Sequence, residues 1–421
     1  MMREPDFVDE CYADKDLSLL KKLTLVIPTY NRNYYLSRCL WYHAHFPFGE
    51  IIVADSSPEE KKVVNRETVA KVREMFGANV RYLEYEPETE KYGGDIYRKW
   101  GDAVQHVETE YSQICTDKEF LILTTICDCI SFCDENNEYI AAFGIWYNVS
   151  IDHITDTTTH YVLSPNDIGK SHKLDVEDKL ERFLDAFVHP QTCAKSLLLA
   201  TSKTEILKQV YEDYAKSSIN DIRYAELYLA YTGYLFGKVH CFNLKMHKIR
   251  DEIVIQIHRS NSNRVCFNSF ESSTTRYPST LDYKKFNDAK NFVTNYQKSI
   301  TLEIIKITGC DLAYAQSFVA NLMCTPLFGD SNTKINLKQI AMNIYMNRPV
   351  ILKIWTNIPV SIQEAINMIT STCFNVPLPI STLTPISITS FPEATIINKI
   401  LEETVKYHNN DSPIIISERL S

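Results

Sequence analysis

A cluster of alternating charge follows a short run of strand-forming residues in this chain. Tyr111 to Phe120 read YSQICTDKEF, so Asp117, Lys118 and Glu119 are consecutive. Hard cations such as Mg²⁺ and Mn²⁺ bind oxygen ligands, which the two carboxylates of an Asp-x-Glu pair can supply. Asp117 and Glu119 are thus chemically able to act as such ligands, and Lys118 between them either adds positive charge or points into solvent.

Glu226 is a second residue whose surroundings indicate chemistry. It is the only charged residue in Tyr224 to Phe236, which read YAELYLAYTGYLF. A carboxylate in so apolar a helix needs a partner or a cavity, because burying an unpaired charge is costly. We interpret Glu226 either as a general base or as half of a structural ion pair with Arg223 or Arg250. The following Gly237 is expected to end the helix in the left-handed conformation.

Two apolar strands near the N-terminus are the elements that must position such residues. Leu23 to Ile27 predict a strand that is halted by Pro28, and Ile51 to Ala54 predict a strand that ends at Asp55. The segment between them has the length of one crossover helix, so the strands are expected to be parallel neighbours. Their loops then open on the same edge of the sheet, where α/β proteins build nucleotide sites.

The motif PTYNR after the first strand and Asp-Ser after the second resemble the start of GT-A fold glycosyltransferases of the family 2 type, which are inverting bacterial enzymes. The resemblance implies an α/β fold with a Rossmann-like, mostly parallel sheet flanked by helices. It also implies a nucleotide-diphosphate sugar, a UDP-sugar first among them, as the donor. The residues implied to line the nucleotide end of the donor pocket are Pro28, Thr29, Tyr30, Arg32 and Asp55, the last at the base or ribose.

The charged cluster departs from the pattern of that family. Alignment on Phe120 places Asp117, Lys118 and Glu119 where related enzymes carry three consecutive aspartates, so the middle carboxylate is a lysine here. The resemblance implies that Asp117 and Glu119 hold Mn²⁺ or Mg²⁺ against the diphosphate. It makes His247 a candidate near the phosphates or the metal.

Further basic residues are implied to lie near the nucleotide or its diphosphate. Lys99 matches a basic residue at the start of a helix in the family, with Arg98 one position away, and the alternative is a solvated lysine on a helix face. Lys118 and Arg250 are the other two candidates.

The implied reaction is inverting transfer of a sugar to the hydroxyl of a glycan, a lipid-linked acceptor or a protein. The family places its general base at the start of a helix in this part of the chain, where Glu226 fits and Asp221 is the rival. One alternative is a catalytically degenerate member that binds a sugar nucleotide or glycan within a polysaccharide-assembly complex. A sugar nucleotidyltransferase is a weaker alternative, because Pro28 to Arg32 is not a glycine-rich phosphate loop.

Composition is that of a cytoplasmic enzyme. The 421 residues include 44 basic and 53 acidic side chains and carry a net charge of -9, which argues against a nucleic-acid-binding surface. The 12 cysteines lack the paired spacing of a zinc site and are interpreted as reduced core residues. No segment reads as a signal peptide or a transmembrane helix, which leaves a peripheral membrane contact open.

The pattern of predicted elements divides the chain into parts. Residues 1–260 alternate strand and helix signals and are assigned to the GT-A domain, with a nucleotide-binding half at about 20–120 and an acceptor half at about 121–260. Residues 261–282 are rich in Ser, Asn and Thr and read as a linker. Residues 283–421 are mainly helical in pattern, and acceptor recognition, homo-oligomer formation and attachment to a partner are all open for them.

Overall fold

The computed structural model describes most of the first 251 residues and two later helices. The described residues are 7–87, 95–150, 162–165, 174–188, 198–219, 222–251, 283–323, 397 and 400. The chain divides into two compact units, Met1–Val254 with Ile386–Ser421, and Ile255–Pro385.

The first half of the large unit is a parallel sheet. Its strands are β1 (Leu23–Thr29), β2 (Glu50–Asp55), β3 (Val80–Glu84) and β4 (Tyr111–Ile114), in the spatial order β3-β2-β1-β4. Every residue of β1, β2 and β4 is buried, as continuous apolar runs in a parallel sheet require. The predicted parallel pairing of the first two strands is confirmed, with Thr29 opposite Asp55.

Pro28 does not halt the first strand. It lies opposite Ala54 in the ladder, and β1 continues to Thr29. The pairing of β1 with β4 ends earlier, at Val26 opposite Ile114, so the proline comes after the last β1–β4 pair. A proline, which has no N–H to donate, is tolerated near such an end.

Helices connect and cover these strands. They are α1 (Phe7–Tyr12), α2 (Asn33–His43), α3 (Glu59–Phe76) and α4 (Asp95–Gln105), with a short 3₁₀ helix at Ser18–Lys22. α4 packs on β1 and β2. Gly77 ends α3 at φ 65°, where its N–H bonds to the Arg73 carbonyl.

The second half of the unit continues the same sheet with mixed strand directions. Its elements are β5 (Glu119–Leu121), α5 (Leu123–Glu135), β6 (Tyr139–Ser150), β7 (Val162–Pro165), α6 (Lys179–Val188), β8 (Thr201–Lys203), α7 (Thr204–Lys216), α8 (Ile222–Phe236) and β9 (Lys238–Asp251). The spatial order continues from β4 as β8-β6-β9-β5, and β7 pairs with β6. The fold class is thus α/β, as predicted: a parallel first half, a mixed second half, and flanking helices.

Three local features of this half depend on turns and strand pairing. The run from Tyr111 to Phe120 is two strands, because the chain turns at Asp117 and Lys118. The Glu119 N–H donates to the Thr116 carbonyl at 2.9 Å and closes that turn. The segment after Ser150 is rich in polar residues and contains the short strand β7, which pairs with β6. The strand after α8 is long, since it pairs with both β6 and β5.

Gly237 is required for space and not for a left-handed turn. Among the described glycines only Gly77 and Gly309 have positive φ. A Cβ atom on Gly237 would lie 2.3 Å from Ile140 Cγ2 and 3.2 Å from the Glu138 carbonyl oxygen. The close approach of β6 to the end of α8 therefore excludes a side chain here.

We expect Gly237→Ala to lower the free energy of unfolding by about 1 to 3 kcal/mol, the usual cost of overpacking. Urea denaturation of the variant measures it. In an Ile140→Ala background the same substitution should cost less, because the methyl group that it meets is gone. An equal cost in both backgrounds would show that the contact with Ile140 is not the reason.

The second unit contains two described helices, α9 (Tyr283–Thr308) and α10 (Leu312–Met323), which pack on each other. The helical pattern predicted for this region is present in both. Gly309 at φ 72° separates them. None of the helices in the described ranges combines the length and apolarity needed to cross a bilayer.

Candidate functional site

Polar side chains meet where the parallel strands end. Thr29 and Asp55 are the last residues of adjacent strands β1 and β2 and lie in register. Asp117 follows the end of the next strand, β4, within three residues. The carboxyl ends of parallel strands form one edge of the sheet, which we call the carboxyl edge. It holds the residues of the PTYNR motif and of the charged cluster.

Asp117 joins these two motifs directly. Its Oδ2 accepts a hydrogen bond from Thr29 Oγ1 at 2.9 Å, and its Oδ1 accepts one from Arg32 Nη1 at 3.2 Å. The Asp117 side chain is 1% exposed, whereas that of Arg32 is 26% exposed. The ion pair therefore presents its cation, not its carboxylate, to the surroundings.

Glu119 and Lys118 differ in the same way. Glu119 is fully buried, and its Oε2 accepts the Thr116 N–H at 3.1 Å. Lys118 lies at the turn and is partly exposed. In the antiparallel β5–β9 ladder, Glu119 is opposite Arg250. The side chains of Arg250 and His247 lie outside the described part of the structure, so their predicted roles stay predictions.

Asp55 is enclosed by protein donors. Its Oδ1 accepts the Ser57 N–H at 2.7 Å, and its Oδ2 accepts Asn65 Nδ2 at 2.7 Å and the Tyr82 hydroxyl at 2.5 Å. Burial, and then the Asp55 carboxylate, raise the pKa of Tyr82 and keep its phenol a donor. Asp55 thus fixes the β2 loop against α3 and β3. A direct contact with a base or ribose stays a prediction.

The loop after β1 contains one residue in the left-handed conformation. Asn31 has φ 53°, a conformation that asparagine tolerates better than most residues, and its N–H donates to Ser57 Oγ at 2.8 Å. Beside it, the Tyr30 ring is 39% exposed. The loop therefore offers one aromatic face at the carboxyl edge.

Lys99 is buried at this edge, so the alternative of a solvated lysine is wrong. Its ammonium group donates to the Thr29 carbonyl at 3.2 Å and to Ser56 Oγ at 2.6 Å. Arg98 points elsewhere: it donates to the carbonyl oxygens of Ala215 and Ser217, at the C-terminal end of α7. Of the two basic residues, Lys99 is the one at the site.

Glu226 has an aromatic partner that sequence patterns did not reveal. Tyr97 on α4 lies beside it: burial, and then the Glu226 carboxylate, raise the Tyr97 pKa well above its ordinary value. The Glu226 side chain is 8% exposed, and the Trp100 ring packs edge-on against Tyr97 with centroids 5.0 Å apart. The Arg223 side chain and Asp221 lie outside the described residues.

The sequence signal for Tyr97 was weak. It lies next to the apolar face of α4 that includes Trp100 and Val104, and a tyrosine there reads as ordinary core. Only the packing of α4 on α8 makes its hydroxyl a partner of Glu226.

A separate group of potential soft-metal ligands lies beside the strand β5. Cys39, His43 and Cys115 are buried, and their ligand atoms lie within 4.8 Å of one another. His43 Nε2 accepts the Leu121 N–H at 3.4 Å, so Nδ1 carries the proton and donates to the Cys39 carbonyl at 2.8 Å. Both ring nitrogens are thus engaged, and burial raises the pKa of the Cys115 thiol. The cysteines in the described ranges are free thiols.

No protein-family model matches the chain, and no curated protein matches it. Solved structures that resemble it include TarS 1–349 from S. aureus, at 13% identity and a TM-score of 0.43, with 92% of each chain covered. The same protein in complex with UDP-GlcNAc has 14% identity and a TM-score of 0.42, covering 92% of this chain and 91% of that one. The mannosyltransferase PcManGT from Pyrobaculum calidifontis, in complex with GDP-Man and Mn²⁺, has 11% identity and a TM-score of 0.34, covering 83% and 86%.

Proposed function

We propose that this chain is a glycosyltransferase that binds a nucleotide-diphosphate sugar at the carboxyl edge and transfers the sugar to an acceptor hydroxyl. The observation that carries the proposal is the contact of Thr29 and Arg32 with Asp117. It joins two separate motifs at the edge where α/β sheets bind nucleotides.

The nucleotide end of the donor lies against the loop after β1. The exposed Tyr30 ring offers a face on which a base can stack. Pro28 and Thr29 line the buried side of the proposed nucleotide site, and Lys99 donates a hydrogen bond to the Thr29 carbonyl. Asp55 holds the neighbouring loop through Ser57. The diphosphate then faces Arg32 and the turn at Lys118.

The sequence resemblance implies Mn²⁺ or Mg²⁺ on Asp117 and Glu119, and the donor set does not fit such an ion. Each Asp117 oxygen accepts a hydrogen bond from the protein, and one of the donors is a guanidinium cation. Glu119 is fully buried and bonded to the Thr116 N–H. A divalent ion needs open carboxylate oxygens and is repelled by an adjacent cation. No step is therefore assigned to a metal.

Glu226 is the proposed general base, and Asp221 is the rival. Its carboxylate takes the proton of the acceptor hydroxyl as that oxygen attacks the anomeric carbon. The bond from the anomeric carbon to the diphosphate oxygen breaks on the opposite face, so the configuration inverts. Tyr97 lies beside this carboxylate on the neighbouring helix α4. Fixed positions of donor and acceptor supply much of the remaining acceleration.

Binding of sugar nucleotides tests the function. The purified chain is titrated with UDP-, GDP- and CMP-sugars by calorimetry, and donor hydrolysis is followed without acceptor. We expect one nucleotide-diphosphate sugar, a UDP-sugar first among them, to bind with a micromolar Kd and to be hydrolysed slowly. A chain that is folded by circular dichroism and binds none of them would refute the proposal.

A non-catalytic sugar-nucleotide or glycan-binding protein within a polysaccharide-assembly complex is the second candidate. The observation that favours it is that both carboxylates of the charged cluster are closed off by protein donors. Such a protein binds a donor and never hydrolyses it. Donor hydrolysis above the uncatalysed rate separates the two candidates.

A further inference from the structure

We infer that protein cations, Arg32 and Lys118, neutralise the donor diphosphate in place of a divalent metal. The inference rests on the proposed donor site. It names the chemistry of that site: a nucleoside diphosphate bound by a guanidinium and an ammonium group.

Exposure at the carboxyl edge is the first argument. The Asp117 carboxylate is nearly inaccessible, while the guanidinium of its partner Arg32 is the exposed member of the pair. A metal must contact carboxylate oxygens, whereas a phosphate must contact cations. The accessible member of the pair is the one that binds phosphate.

The turn at Lys118 repeats this arrangement. Glu119 begins β5 with a buried carboxylate that bonds to the backbone of its own turn. Lys118 lies at the tip of the turn and is partly exposed. The position between the two carboxylates, where another carboxylate would complete a metal site, thus carries a positive charge.

Asp117 acts on Arg32 as an anchor. It holds the Nη1 end of the guanidinium while Thr29 fixes the other carboxylate oxygen. A guanidinium has five N–H donors in a rigid fork, and its geometry matches phosphate oxygens. As the bond to the sugar breaks, negative charge develops on the diphosphate oxygen, and preplaced cations stabilise it.

The two assignments predict opposite effects of Asp117→Asn. If Asp117 binds a metal, the substitution abolishes metal-dependent binding of the diphosphate. If Asp117 anchors Arg32, the amide oxygen of the variant still accepts the Arg32 hydrogen bond while one negative charge beside the phosphates is removed, so the affinity stays equal or rises. Arg32→Gln should weaken binding about tenfold or more, since it removes a charge-assisted hydrogen bond.

Calorimetric titration with UDP and with GDP, each in EDTA and in MnCl₂, measures these effects on the full chain. We expect Kd in EDTA to lie within about twofold of Kd in Mn²⁺ for the nucleotide that binds. This difference is smaller than the tenfold change in Kd to which about 1.4 kcal/mol corresponds. Lys118→Ala should also weaken binding and does not disturb the Asp117 contacts. Lys216→Ala is the matched control, because Lys216 is an exposed lysine of α7 paired with Glu212.

Electron paramagnetic resonance of Mn²⁺ mixed with the protein gives a readout independent of turnover. Saturable Mn²⁺ binding that Asp117→Asn removes, or a loss of UDP affinity in EDTA, would overturn the inference and leave the glycosyltransferase proposal standing. Absence of UDP and GDP binding under both conditions would overturn both. Thermal unfolding of each variant identifies any loss of binding that is caused by misfolding.

Discussion

Glu226→Gln is expected to lower the rate of sugar transfer by about 10²- to 10⁴-fold, the range that general-base catalysis contributes. The amide keeps the size of the buried carboxylate, so the packing around it is preserved. It cannot take a proton from the acceptor, so the chemical step fails while the donor site is intact. Single-turnover transfer and donor titration measure the two quantities separately.

Two tyrosine variants control this experiment. Tyr97→Phe removes the hydroxyl that lies beside Glu226 and should lower the transfer rate far less than Glu226→Gln does, because the base itself is kept. Tyr211→Phe is the matched control: that hydroxyl is buried and has no hydrogen-bond partner among the described residues. Glu226 is a structural residue if Glu226→Gln instead weakens binding of the sugar nucleotide, or if it lowers the free energy of unfolding while the folded variant transfers the sugar at the original rate.

Asp55→Ala is expected to lower the free energy of unfolding by about 3 to 5 kcal/mol. Three buried donors lose their acceptor at once, from Ser57, Asn65 and Tyr82. An unsatisfied buried donor costs about 1 to 3 kcal/mol, and hydrogen bonds to charged groups lie at the upper end of the range. Guanidinium denaturation followed by circular dichroism gives the difference.

Tyr82→Phe tests the explanation. It removes one of the three donors together with its hydroxyl, so no buried donor is left unpaired, and it should cost only about 1 kcal/mol. Asp55→Ala could instead leave the free energy of unfolding unchanged and abolish only the binding of the sugar nucleotide. In that case the carboxylate contacts the nucleotide directly, as the sequence resemblance implies, and its three hydrogen bonds contribute nothing to folding.

The sequence predicted the elements at the carboxyl edge well, for a physical reason. β1 and β2 are buried on both faces, so they read as unbroken apolar runs that end in polar loops. Their parallel pairing follows from the length of the crossover between them. Those two facts suffice to bring Thr29 beside Asp55.

The partners of the site residues could not be read in the same way. Periodicity shows which face of an element is buried, and it does not show which residue of another element lies opposite. Tyr82 in β3 and Asn65 in α3 converge on Asp55 only through tertiary packing.

One helix contributes to both sides of the proposed reaction. Successive residues of an α-helix are rotated by about 100°, so Tyr97 and Lys99 project from nearly opposite sides of α4. Tyr97 lies beside Glu226 on α8, and Lys99 donates a hydrogen bond to the Thr29 carbonyl at the end of β1. The distance between the proposed base and the loop after β1 is thus set by the width of a helix and not by flexible loops. The helix α4 therefore fixes the position of the acceptor relative to the sugar nucleotide.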